Sequence, residues 1–146
     1  AGSVRMRTAL LVALSILLAS CDSSTEPFVR RRAWLGAPSG GILAPDTARV
    51  GTPFTVTAFA AGSGTRDCNE PDGADVSHNA GMARVEIFVR VKRGRLICTD
   101  DLQYYPIAVS LTFAAPGVSV IRVIGTAGSG ANAPLDSLER TVVVIP

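Results

Sequence analysis

The chain has 146 residues, with 14 Lys+Arg, 12 Asp+Glu, one histidine and a formal net charge of +2. Arg5 and Arg7 precede an apolar opening run, so from residue 21 onward 12 basic residues balance 12 acidic ones. That neutrality argues against nucleic acid as a partner, and the length suits one sandwich-sized core and little more.

The first element is Thr8-Ala9-Leu10-Leu11-Val12-Ala13-Leu14-Ser15-Ile16-Leu17-Leu18-Ala19-Ser20, behind Arg5-Met6-Arg7. A basic start, an apolar stretch of about a dozen residues and small residues at the exit predict a helical secretory signal over residues 1–20. The stretch is short of the roughly 20 apolar residues of a transmembrane helix. Its end, Leu18-Ala19-Ser20-Cys21, resembles the lipobox of bacterial lipoproteins. The resemblance implies diacylglyceryl transfer to the Cys21 thiol, cleavage before it and acylation of the new amino terminus. The protein would then be membrane-anchored on the periplasmic side. Asp22 resembles an inner-membrane retention signal, and the outer membrane stays open.

Of the three cysteines, that resemblance assigns Cys21 to lipid and leaves Cys68 and Cys98. Export makes a disulfide the natural state of the remaining pair. Two buried free thiols are the alternative, and a zinc site lacks its close ligand spacing. Residues 21–33 read as lipidated cysteine and flexible tether, because Asp22-Ser23-Ser24-Thr25-Glu26-Pro27 is polar and aperiodic. Arg30-Arg31-Arg32 is either a headgroup-attracting cluster or a solvated basic linker.

From Trp34 to Pro146 the periodicity is that of strands. Residues 53–60 alternate, with Phe54, Val56 and Ala58 on one side. Ala83, Val85, Ile87, Val89 and Val91 alternate with Arg84, Glu86, Arg90 and Lys92, with Phe88 the exception. Lys92-Arg93-Gly94-Arg95 suits a hairpin turn, with 96–99 returning. Ile107, Val109, Leu111 and Phe113 form another face. Ala115-Pro116-Gly117 turns the chain, residues 118–124 run back, 125–134 form a Gly/Ala-rich loop, and 138–145 supply a last strand. Six to eight short strands separated by turns predict an all-β, antiparallel sandwich over 34–146.

Two segments carry a resemblance. Pro45-Asp46-Thr47-Ala48-Arg49-Val50-Gly51-Thr52-Pro53-Phe54-Thr55-Val56-Thr57 resembles the opening strands of bacterial immunoglobulin-like domains. Leu111-Thr112-Phe113-Ala114-Ala115-Pro116-Gly117-Val118-Ser119-Val120-Ile121-Arg122-Val123 is similar to their recurring Phe-x-x-Pro-Gly-strand signature. The resemblance implies an immunoglobulin-like sandwich of about seven strands. Such domains mostly present surfaces to partners, and a protein partner at the membrane is expected.

Candidate chemistry concentrates in residues 65–80, which read as a long acidic loop. It holds Asp67, Glu70, Asp72 and Asp75, and a Cys68–Cys98 bridge would bring Asp100 and Asp101 close. Such carboxylates could hold calcium, although their spacing is not that of an EF-hand. Neutralisation by Arg66, Arg84 and Arg95 is the competing reading. His78 adjoins Ser77, but adjacent residues rarely face each other, and neither a Gly-x-Ser-x-Gly elbow nor a phosphate loop is present. No catalytic residues are assigned, and the chain reads as a non-enzyme without a cofactor beyond its lipid. Trp34 is expected to plug one end of the sandwich. Tyr104 and Tyr105 are candidate partner contacts. Three functions compete: a lipid-anchored binding or scaffolding module; an accessory subunit of a membrane complex that retains its leader as anchor; and a calcium- or carbohydrate-binding module using residues 65–80.

Overall fold

A computed structural model of the chain describes residues 28–36, 41–63, 68–93 and 101–146. The leader with its expected helix, Cys21, Asp67, Cys98, Asp100 and the expected return strand 96–99 lie outside the described residues. Among the described residues the fold is all-β: ten strands join in one sheet. They are β1 (Phe28–Arg32), β2 (Trp34–Leu35), β3 (Ile42–Leu43), β4 (Thr47–Arg49), β5 (Phe54–Ser63), β6 (Asn69–Asn79), β7 (Met82–Lys92), β8 (Leu102–Leu111), β9 (Gly117–Thr126) and β10 (Leu135–Ile145).

Alternating apolar residues line the inner face of this sheet, which curls on itself to bury them. Val56 and Ala58 of β5, Val85 and Ile87 of β7, Ile107 and Leu111 of β8, Ile121 and Val123 of β9, and Val142 and Val144 of β10 pack into one cluster. Each large side chain among them contributes about 1.5–3 kcal/mol by leaving water. The curl divides the sheet into two strips. One runs β6-β7-β9-β10-β4, with β1 beside the second half of β7; the other runs β8-β5-β3. Ala33 makes the crossing between them. Its amide donates to the Ile87 carbonyl at 2.9 Å and its carbonyl accepts from the Thr126 amide at 2.9 Å. One residue later Trp34 pairs with Ala61 of β5 and Thr126 of β9.

Three differences from the sequence reading have physical causes. The sheet is mixed rather than antiparallel throughout: β7–β9, β10–β4 and β2–β9 run parallel. Between β7 and β9 the chain visits the other strip as β8, paired with β5, and a strand returning from such a crossover lies parallel to its neighbour. Residues 69–79, read as part of a loop, form β6 along β7. β6 is an edge strand exposed over most of its length, so it lacks apolar alternation. It carries instead the charge, Pro71 and bulge typical of protected edges; the register shifts between Pro71 and Ala74, where Gly73 has φ +77°. Finally, residues 28–32, read as tether, form β1, whose basic sequence reflects a solvent-facing strand.

Candidate functional site

On the outer face of the first strip, cross-strand register sets opposite charges side by side. Arg30 of β1 stands opposite Arg90 of β7, and Arg90 stands opposite Glu70 of β6. Arg30 donates from Nε to Asp72 at 3.0 Å and clamps both oxygens of Asp75 at 2.9 and 3.1 Å. Arg90 contacts Glu70 and Asp72, each at 3.2 Å. Arg32 and Arg84 converge on Glu86 at 3.0 and 2.6 Å, and Arg122 donates to Glu139 at 2.6 Å. The Arg30 guanidinium also lies 3.6 Å from the centroid of the Phe88 ring. That contact accounts for Phe88 among the charged residues on the outward side of β7.

The hydrogen bonds from Arg30 hold the Asp75 carboxyl below its ordinary value, and the same bonds raise Arg30. Burial works to raise Glu86, but hydrogen bonds from Arg32 and Arg84 outweigh it and leave its carboxyl below the usual range.

The structure therefore brings Glu70, Asp72 and Asp75 together, with arginines between them. The neutralising residues are Arg30 and Arg90. Arg84 serves Glu86 instead, while Arg66 and Arg95 lie outside the described residues. Among the described residues no group of three or more His, Cys, Asp or Glu is arranged to hold a metal ion. Asp101 is exposed. Tyr104 and Tyr105 occupy opposite faces of β8: Tyr104 is 38% exposed and Tyr105 is buried in the core. His78 is an exposed residue of β6 whose ring meets Phe113 edge-on at 6.3 Å. Cys68 is buried and engaged rather than free, just before β6.

A second feature escapes the sequence reading. At the end of the sheet where β1 begins, a cavity of about 520 Å³ opens between the two strips. Its walls include Arg31, Trp34, Asn69, Lys92, Thr126 and the loop residues Gly128 to Ala131. None of its described lining residues is acidic. Arg31 stands opposite Val89, so register puts it on the inward side of β1, between Val29 and the buried Ala33. A charge at an inward position is solvated here because the mouth is open. Trp34 is half-buried in the wall, at the end it was expected to plug. The only advance signal for this site is Arg31 interrupting the apolar phase set by Val29 and Ala33. Lys92 gives none, since it continues the polar side of β7.

No family of known proteins, no curated protein and no solved structure matches this chain.

Proposed function

We propose that the protein is a lipid-anchored, non-catalytic binding module on the periplasmic side of a membrane, built on an immunoglobulin-like sandwich. The observation that carries this reading is the position of the first described strand. β1 starts at Phe28, with only residues 22–27 between it and Cys21 of the lipobox-like segment. Phe28 pairs with Lys92, itself a wall of the mouth, so the start of β1 and the mouth share one end of the domain. Seven extended residues reach about 25 Å, which would keep that end close to the bilayer. Two acyl chains make stable anchoring, and confinement raises the effective concentration of the domain toward membrane-bound partners.

For the finer fold, the facing strips β8-β5-β3 and β6-β7-β9-β10-β4 are the support. The parallel β7–β9 pair departs from the all-antiparallel immunoglobulin arrangement. The buried, engaged Cys68 supports the proposed bridge to Cys98.

Intact mass of the protein from its native membrane tests the reading. A chain starting at Cys21 with diacyl or triacyl mass, gaining about two hydrogens on reduction, is the expected result. A mass that retains the residues ahead of Cys21 without lipid would replace the lipoprotein with a membrane-complex subunit anchored by its leader.

A further inference from the structure

We infer that the mouth beside β1 is a binding site for a phosphate ester of a small polyol, either free or as a lipid headgroup. This deepens the binding role proposed above by naming a ligand class, and it does not depend on the lipid at Cys21.

Three observations converge. The first is uncompensated positive charge. Every other arginine of β1 and β7 within the described residues is in an ion pair: Arg30 with Asp72 and Asp75, Arg32 and Arg84 with Glu86, Arg90 with Glu70 and Asp72. Arg31 and Lys92 border the mouth and belong to none of the ion pairs among the described residues. Both residues line one cavity without an acidic partner, Arg31 from the inward side of β1. A bound anion is the natural complement, and a guanidinium fork fits phosphate oxygens in two-point contact.

The second observation is the wall opposite. The loop from Ala127 to Pro134 is closed by bonds from the Ala127 amide to the Pro134 carbonyl at 2.9 Å and from the Ala133 amide to the Gly130 carbonyl at 3.1 Å. The Thr126 hydroxyl donates to the Gly128 carbonyl at 2.8 Å. Among the described residues no hydrogen bond engages the amides of Gly128, Ser129, Gly130 and Ala131, small residues that line the mouth. Successive backbone amides in a turn form anion-binding concavities.

The third is size and polarity. A cavity of about 520 Å³ holds more than an inorganic ion, and it falls within the roughly 300–1,000 Å³ range of small-molecule sites. The Trp34 ring supplies an apolar flank for the carbons of a polyol.

Trp34 is the single tryptophan of the chain, so fluorescence excited beyond the tyrosine absorption reports on the mouth. The purified protein, in whichever lipidated state the mass measurement finds it, is titrated with glycerol 3-phosphate, glycerol, and vesicles of phosphatidylglycerol or phosphatidylcholine. The expected result is a saturable, salt-sensitive response to glycerol 3-phosphate or phosphatidylglycerol, absent with glycerol and exceeding any salt-insensitive response that acyl insertion gives with phosphatidylcholine. A response to the vesicles alone assigns the lipid headgroup, and a response to the soluble ester assigns a free ligand. Arg31→Gln with Lys92→Gln should weaken binding about tenfold or more, each lost charge-assisted contact being a large step in affinity. Arg122→Gln, on the outer face, should leave it unchanged. No saturable response to either phosphate probe, an equal response to glycerol, or an undiminished response in the double variant would overturn the assignment. The mass measurement decides the anchor separately, so either reading can fail while the other stands.

Discussion

Phe88 shows how much one side chain's surroundings decide. It breaks the polar side of β7 in sequence, and in the fold the Arg30 guanidinium covers its ring while binding Asp72 and Asp75. The charged partners of that cluster make its strength depend on pH. Asp75 and Glu86 are both held below their ordinary values in the folded protein. Their contribution is complete above the unfolded values, near 3.8 and 4.5, and is lost as the pH falls through the lower folded values. Glu86→Gln should therefore lower stability near neutrality by about 0.5–1 kcal/mol, a modest figure because Arg32 and Arg84 are well solvated. The difference from the unsubstituted protein should shrink on acidification, as urea unfolding at neutral and acid pH would read. A difference equal at both pH values would mean that Glu86 acts through packing rather than charge. The charges themselves were plain in the sequence. Their pairing was not, because Arg30 lies 42 residues from Asp72 and meets it only through register with β7.

At the scale of elements, legibility follows burial. The inward residues of β7 and the apolar side of β8 stand out because core packing imposes a period of two. β6 carries no such imprint, since solvent covers most of it, and its Pro, Gly and acids resemble a loop until β7 supplies hydrogen-bond partners. β1 hid for the same reason, behind three consecutive arginines. The crossing at Ala33 was equally invisible, for it depends on close backbone approach. A Cβ added at Gly125 would lie 2.4 Å from the Ala33 carbonyl oxygen and 2.8 Å from Leu35 Cγ. Gly125→Ala should cost about 1–3 kcal/mol in denaturant unfolding, since rigid backbone must yield. Gly128→Ala, with its nearest neighbour at 4.0 Å, should be close to neutral. Equal effects at the two sites would show that the crossing tolerates displacement.

For the molecule as a whole, the strip of paired charges bears on metal dependence. With Glu70, Asp72 and Asp75 already engaged by Arg30 and Arg90, the melting temperature should not move with excess calcium or with chelator. A rise with calcium would show that the ion displaces those arginines. A Cys68–Cys98 bridge would close a loop of about 30 residues, so reduction should lower stability by roughly 3–4 kcal/mol. Unchanged unfolding under reductant would argue for two thiols. The placement of β1 carries a mechanical consequence as well. Any pull on the chain ahead of Phe28 enters the fold along the axis of β1, whose five residues are laddered to β7. Force in that direction loads the ladder in shear, with several hydrogen bonds resisting at once instead of opening one by one. What passes beyond them reaches Ala33, where it divides between Ile87 of β7 and Thr126 of β9 before Trp34 and Leu35 hand the remainder to β5. The strand that would join domain to membrane is thus also the one through which tension would spread into both strips.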